Sequence, residues 1–152
     1  MFKTHLLISF LVGLFTFEFF HINKFIYVFI VVLAGALPDI DLPNSKIGSK
    51  IKPLSKLLNL IFGHRGFLHS IFMPLILLVV FYYFKILEYG LAFFIGYLSH
   101  LIADSLSYEG LKLFSPISNF RVRGFIKVGG LFEYILFIVL LALSFLYIGR
   151  LF

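Results

Sequence analysis

The sequence contains no cysteine and no tryptophan, and only 13% of its 152 residues are charged. Without cysteine, disulfide bonds and cysteine-based zinc sites are excluded, so a metal ion could be bound only by histidine, aspartate or glutamate. The scarcity of charge goes with 61% hydrophobic residues, 22 Phe and a mean hydropathy of +1.07, which excludes a water-soluble domain with a polar shell. The chain is therefore predicted to be an integral membrane protein.

The net charge is +6 at pH 7, from 13 Lys and Arg residues against 7 Asp and Glu residues. Such a balance is compatible with nucleic-acid binding, but basic residues of membrane proteins usually collect in cytoplasmic loops beside anionic lipid. We therefore expect the lipid bilayer to be the partner of these residues and expect no nucleic-acid partner.

Five apolar runs predict membrane helices: Thr4 to Phe20, Phe25 to Leu37, Phe67 to Leu87, Tyr89 to Leu106 and Leu131 to Ile148. The second run is shorter than the roughly 20 residues of a full span, so it is either a short span or a half-helix. The first run lacks a small-residue cleavage site and is expected to be a retained helix. Residues 1–152 are thus predicted to form one all-α domain, a polytopic membrane helix bundle of about five helices.

The basic residues predict the orientation of this bundle. With five spans, the N-terminus and the loops Pro38 to Gly66 and Ser107 to Gly130 share one side, which carries ten of the thirteen Lys and Arg residues. Because positive charge favours the cytoplasmic side, the protein is predicted to be a multi-pass protein of the cell membrane with a cytoplasmic N-terminus and an external C-terminus.

Histidine and aspartate side chains cluster at helix ends on this same predicted side. Lipid penalises such groups, so polar residues gather at helix ends in any membrane protein, but that tendency does not explain the choice of one end. Because the cytoplasmic side was assigned from Lys and Arg residues alone, the position of the histidine and aspartate clusters tests that assignment independently. Only His21 falls on the opposite side. The residues predicted to converge are His5, Asp39, Asp41, His64, His69, His100 and Asp104.

Two of these clusters have the spacing of metal ligands. His100 and Asp104 are four residues apart on a predicted helix and therefore share a face. In an isolated pair of this kind, however, the histidine and the aspartate are more often hydrogen-bonded to each other than bound to a metal. Asp39 and Asp41 lie in a turn between two prolines, where one carboxylate could bind a metal and the other could orient a histidine or a water. A solvated turn is the alternative for the second pair.

The third cluster, Gly63 to Ser70, combines two histidines with an arginine. His64 and His69 are five residues apart and would diverge on a helix, but a turn through Gly66 would let both converge. Arg65 lies between them, and its planar guanidinium can donate paired hydrogen bonds to phosphate oxygens. The alternative is an arginine-containing turn at the membrane edge with incidental histidines.

These three ordered motifs, LPDIDLPNS, HRGFLHS and GYLSHLIADS, resemble those of the YdjM-like family of membrane-bound proteins, and the similarity extends to His5, to Gly110 to Pro116, and to Gly129, Gly130 and Glu133. The resemblance implies a metal-dependent hydrolase and does not specify its substrate. The order of the motifs is also similar, more distantly, to the helical fold of zinc-dependent phospholipases C and nucleases.

The expected function is hydrolysis of a phosphoester in a lipid or membrane-associated substrate at the cytoplasmic face. One or two divalent ions, zinc in preference to manganese, would activate a water. Asp41 or Glu133 would accept its proton and Arg65 would stabilise phosphoryl oxygens. A zinc-dependent lipid amidase and a non-catalytic metal-binding protein or transporter are the alternatives. The expected metal ligands are His5, Asp39, His64, His69, His100 and Asp104.

Overall fold

The computed structural model describes residues 2–63 and 65–151. Over this range the protein is all-α, with six helices connected by turns, by short 3₁₀ segments and by a loop with two isolated β-bridges. The predicted all-α class is therefore confirmed. The helices are α1 (Phe2–Thr16), α2 (Lys24–Ala36), α3 (Lys52–Phe62), α4 (Phe72–Tyr83), α5 (Leu87–Ser105) and α6 (Leu131–Leu151).

Helix α5 is the centre of the bundle, because it packs against α1, α2 and α4, while α6 packs against α1. Small residues permit this close packing. Gly96 of α5 lies against the backbone of Val31 in α2, and Gly35 of α2 lies against Ser9 of α1. The hydroxyls of Ser9 and Ser99 are 2.7 Å apart. Small and hydroxyl residues at such contacts let helix backbones approach closely, as in many membrane proteins.

The two ends of the bundle carry different polar contacts. At one end, Thr4 at the start of α1 donates a hydrogen bond to Glu133 at the start of α6. At the other end, Nδ1 of His21 lies 3.3 Å from Oε1 of Glu88, at the start of α5. Helices α1 and α6 therefore start at the same end and α5 starts at the opposite end.

The second apolar run forms a short helix, as predicted. Helix α2 has 13 residues, which gives a length of about 20 Å against about 30 Å for the hydrocarbon core of a bilayer. Two helical segments, Phe2–Phe19 and Leu131–Gly149, are long and apolar enough to cross a membrane, and the apolar helix Phe72–Tyr83 is shorter. The polytopic arrangement of all five apolar runs stays a prediction.

The third apolar run begins its helix later than predicted. A 3₁₀ turn occupies Phe67–His69, Ser70 has an extended backbone, and α4 begins only at Phe72. The N–H of Ile71 donates to the carbonyl of Leu113. The chain before α4 is thus tied to the loop after α5 instead of continuing the helix, and this turn carries His69.

Helix α3 (Lys52–Phe62) was not predicted from the sequence. It ends at Gly63, whose positive φ of 67° is a conformation that glycine adopts without steric cost. The sequence did contain a signal, since Leu54, Leu57 and Ile61 recur with the spacing of one helix face. Helix α3 packs on the 3₁₀ turns at Pro38–Asp41 and Gly48–Ile51.

Candidate metal centre

His100 and Asp104 form the part of the site that α5 supplies. Both side chains are buried, and Nε2 of His100 lies 3.6 Å from Oδ2 of Asp104. Nδ1 of His100 is 2.8 Å from the carbonyl oxygen of Gly35. Because a carbonyl can only accept, Nδ1 carries the proton and donates, and Nε2 presents its lone pair. His100 is therefore held in the tautomer that a metal ligand needs.

His5 reaches this pair from the start of α1. Its Nε2 is 3.1 Å from Oδ1 of Asp104, and its ring centroid is 4.2 Å from that of His100. His5 is 2% exposed. The contact joins residues 99 positions apart in the sequence, so the predicted convergence of the first and fourth apolar runs is present in the fold.

His69 enters from the 3₁₀ turn before α4 and is fully buried. Its Nε2 lies 3.6 Å from Oδ2 of Asp104, and its Nδ1 lies 3.1 Å from Oδ2 of Asp41. A carboxylate on one ring nitrogen orients the other nitrogen toward a metal and increases its basicity. Tyr97 of α5 donates from its hydroxyl to the Leu68 carbonyl, which fixes the turn that carries His69.

Among the described residues, two groups of side chains could hold a metal, and both groups include His100. One group is His5, His100 and Asp104, and the other is Asp39, His69 and His100, with the ligand atoms of each group within 4.8 Å of one another. The 3.6 Å separations at Asp104 are close to the roughly 3.3 Å between neighbouring ligands of a tetrahedral zinc with Zn–N bonds of about 2.05 Å.

The donor atoms fit a divalent cation. Nε2 of His100 and Oδ2 of Asp104 are buried and have no hydrogen-bond partner among the described residues. Buried polar atoms are normally paired, so such atoms in a cluster of imidazoles and carboxylates are where a cation would be bound. Among the described residues of the cluster, three carboxyl groups, those of Asp39, Asp41 and Asp104, lie with one guanidinium, that of Arg65, and this excess of acidic groups favours a cation at this position.

Arg65 connects the cluster to the loop after α5. Its Nη2 lies 3.1 Å from Oδ1 of Asp104. Its Nη1 donates to the carbonyl of Gly110 at 3.0 Å and also lies 3.1 Å from Oε2 of Glu109. Its backbone N–H donates to Oδ2 of Asp41 at 3.3 Å. The side chain therefore contacts a metal-ligand candidate and at the same time reaches the surface.

The backbone at Arg65 adopts a left-handed conformation with φ of 58°, which costs a non-glycine residue about 1 kcal/mol or more. Such strain persists where the surrounding contacts enforce it, commonly at functional sites. The Nε of Arg65 is buried and has no hydrogen-bond partner within residues 2–63 and 65–151.

The other predicted site residues lie in different positions. Glu133 is 8% exposed, accepts hydrogen bonds from Thr4 and from the N–H of Gly129, and belongs to neither group of candidate ligands. His64 lies outside the described residues. His21 is at the opposite end of the bundle, as predicted, and lies beside Glu88 there. The contributions of Tyr97 and of the Gly35 carbonyl were not predicted, because neither a phenol nor a backbone carbonyl has a characteristic spacing in the sequence.

Comparison with known proteins gives the family. The family described as YdjM inner membrane protein matches residues 1–151 of the chain. The chain is similar to the inner membrane protein YdjM of Escherichia coli (strain K12), with 40% identity over 91 residues that cover 56% of this chain and 46% of that protein. It is also similar to the uncharacterized protein YvsG of Bacillus subtilis (strain 168), with 43% identity over 91 residues that cover 59% of this chain and 56% of that protein.

The chain spans about half the length of the curated relatives it matches. No solved structure matches it. The inner membrane relatives support the predicted membrane localisation, and the resemblance predicted from the three motifs is confirmed by a match over nearly the whole sequence. The chain belongs to the YdjM inner membrane protein family.

Proposed function

We propose that this protein is a membrane-embedded, metal-dependent hydrolase that cleaves a phosphoester of a lipid or membrane-associated substrate. The observation that carries the proposal is the buried cluster around Asp104, whose Oδ2 lies 3.6 Å from Nε2 of both His69 and His100. Imidazoles together with carboxylates are a ligand set suited to zinc, with manganese as the alternative. A bound ion would supply a water of lowered pKa and would polarise the phosphoryl group.

The protein groups around the cluster have separate roles in this proposal. The residues that would hold one or two ions are His5, Asp39, His69, His100 and Asp104. The carbonyl of Gly35 fixes the tautomer of His100. Asp41 orients His69, because its Oδ2 lies against Nδ1 of that ring. Asp41 or Glu133 would accept a proton from the attacking water. Glu133 lines a cavity of about 460 Å³ together with Lys3 and Lys46.

A second cavity, beside the cluster, suits an anionic group. It has a volume of about 310 Å³ and is lined by Arg65, Tyr108, Glu109, Arg121 and Arg123. Three guanidinium groups against one carboxylate favour an anion, and guanidinium binds phosphate oxygens through paired N–H groups. Arg65 also contacts Asp104, so this side chain connects the cavity with the ligand cluster.

The metal test uses full-length protein purified in detergent without a chelator. Wild type is expected to carry roughly stoichiometric zinc or manganese, and His69→Ala and Asp104→Ala are each expected to lose most of it. His21→Ala is the matched control, since that histidine is exposed and lies at the opposite end of the bundle. Metal content no higher in wild type than in the two cluster variants would contradict the site.

The activity test uses a panel of lipid phosphates, phosphodiesters and lipid amides. Phosphate release that depends on Asp104 and Arg65 supports the proposal. The second candidate, a zinc-dependent lipid amidase, is favoured by one observation: both Nη atoms of Arg65 already contact protein oxygens. Fatty-acid release that survives Arg65→Lys would support the amidase. Bound metal with no turnover of any substrate would support a metal-binding protein or transporter.

A further inference from the structure

The polar face of helix α3 (Lys52–Phe62) is turned toward the protein. Nδ2 of Asn59 donates to the backbone carbonyl of Asp41 at 2.9 Å. Ser55, one turn earlier, is fully buried and lies against Gly48. Because residues four apart share a helix face, Ser55 and Asn59 fix the rotation of α3 about its axis. The helix is thus held by its polar side on the loop that carries Asp39 and Asp41.

The apolar face of α3 is turned outward. Leu54, Leu57 and Ile61 are 47%, 51% and 61% exposed, and Leu60 beside them is 84% exposed. A helix on a water-exposed protein surface shows the reverse arrangement, with its apolar stripe toward the core. A contiguous exposed apolar face indicates an interaction surface.

The segment around α3 is strongly basic. Residues 42–63 contain Lys46, Lys50, Lys52 and Lys56 and no Asp or Glu. Lysines on one side of a helix and leucines on the other are typical of helices that lie in the plane of an anionic membrane surface, where each lysine contributes about 1 kcal/mol of attraction. This charge argues for lipid as the partner, since a second copy of the chain would present the same positive charge to α3.

The exposed face is also continuous with the apolar surface of the bundle. Phe62 at the end of α3 is 37% exposed and its ring centroid lies 5.5 Å from that of Phe67. Phe67 starts the turn that leads into α4, an apolar helix with exposed Leu75, Ile76 and Val79. An apolar surface therefore runs from α3 to the helices of a protein whose family is located in the inner membrane.

We propose that α3 is an interfacial helix that lies in the headgroup region of an anionic leaflet, with Leu54, Leu57 and Ile61 inserted and the lysines at the level of the lipid phosphates. Asn59 connects this helix to the carbonyl of Asp41, so the loop with Asp39 and Asp41 is held at headgroup depth. The inference needs the membrane location of the family and does not depend on hydrolase activity.

The absence of tryptophan from the sequence gives a direct test. Leu57→Trp places one fluorophore on the apolar face, and Lys52→Trp places one on the polar side of the helix, which carries Ser55 and Asn59. Each full-length variant is reconstituted into vesicles of phosphatidylcholine and phosphatidylglycerol that contain lipid brominated on the acyl chains, below the level of the phosphates. Because interfacial helices insert by about 5–10 Å, Leu57→Trp is expected to emit at shorter wavelength and to be quenched about twofold or more over Lys52→Trp.

Two results would overturn the proposal. Equal emission and equal quenching at both positions would show that the leucine face does not contact lipid. Emission at short wavelength without quenching by brominated lipid would show that protein, such as a second copy, covers the face. Ile61→Trp is a second reporter on the same face if Leu57→Trp does not fold. A variant is used only if its thermal unfolding curve is like that of wild type.

Discussion

Asp41 Oδ2 lies 3.1 Å from Nδ1 of His69, and both side chains are fully buried. The contact orients the imidazole without occupying its Nε2. Asp41→Ala is therefore expected to weaken metal binding by about 10- to 100-fold, as removal of such outer partners of metal-binding histidines does. Asp41→Asn retains an oxygen acceptor and is expected to lose less. Affinity is measured by competition with a metal chelator of known strength.

The matched control for Asp41 is Glu88→Gln. Glu88 also contacts a histidine, His21, but that pair is exposed and lies at the opposite end of the bundle. Its substitution is expected to leave metal affinity unchanged. Equal losses in Asp41→Ala and Glu88→Gln would show that a general effect on the fold, and not the orientation of His69, explains the result.

Metal removal is expected to lower thermal stability. A ligand that binds only the folded state stabilises it by about 4 kcal/mol when present at about 1,000 times its dissociation constant. Wild type treated with a chelator is therefore expected to unfold at lower temperature than the metal-loaded protein, and Asp104→Asn is expected to show no such difference. Thermal unfolding followed by intrinsic tyrosine fluorescence checks this, and a chelator effect of equal size in both proteins would contradict it.

Because α2 and α5 are in close contact, the addition of one methyl group at Gly96 is expected to lower the stability of the protein strongly. A Cβ at Gly96 would overlap the backbone of Val31, which cannot move aside by changing a rotamer. Gly96→Ala is expected to destabilise the protein by about 1–3 kcal/mol and to lower its metal content, because His100 would shift from the Gly35 carbonyl.

Gly149→Ala is the control for Gly96→Ala. Gly149 lies in α6 with no neighbouring atom within 4 Å of an added Cβ, so alanine there is expected to be neutral or stabilising through its higher helix propensity, by up to about 1 kcal/mol. Thermal unfolding midpoints of the two variants are compared with wild type. A Gly96→Ala midpoint at or above that of Gly149→Ala would disprove the packing argument.

The sequence predicts much of this arrangement and leaves specific parts out. The apolar runs predict the helices, and the distribution of Lys and Arg predicts that His5, His69, His100 and Asp104 meet at one end, which the structure bears out. Periodicity could not predict that Phe67–His69 is a 3₁₀ turn, because the interruption of the helix comes from a long-range hydrogen bond between Ile71 and Leu113. Local patterns carry no information on such a bond.

The role of Arg65 also depends on long-range contacts. From the sequence, the planar guanidinium of Arg65 predicts phosphate binding. In the fold, the guanidinium also contacts Asp104 and the Gly110 carbonyl. Residues 39 and 45 positions away in the sequence supply these oxygens, so their approach follows from helix packing. The cavity with Arg121 and Arg123 likewise follows from the course of the loop after α5.

These contacts predict that Arg65→Lys separates catalysis from metal binding. Lysine offers a point charge and cannot contact Asp104 and a substrate oxygen with fixed geometry. If the proposed phosphoesterase activity is correct, kcat/KM is expected to fall by about 100-fold while metal content stays near that of wild type, because removal of one donor to a developing negative charge commonly has this effect. Loss of metal in parallel with activity would instead make Arg65 a positioning residue for Asp104.

The absence of cysteine from the sequence permits a test of the predicted orientation with single-cysteine variants. Ser49→Cys lies in the basic loop before α3, and His21→Cys lies at the opposite end of the bundle, where the side chain is 94% exposed. Neither substitution changes the Lys and Arg balance that sets topology. In intact cells, a membrane-impermeant maleimide is expected to label His21→Cys, and Ser49→Cys only after permeabilisation. The reverse pattern would place the metal cluster on the external face and would exclude a cytoplasmic substrate.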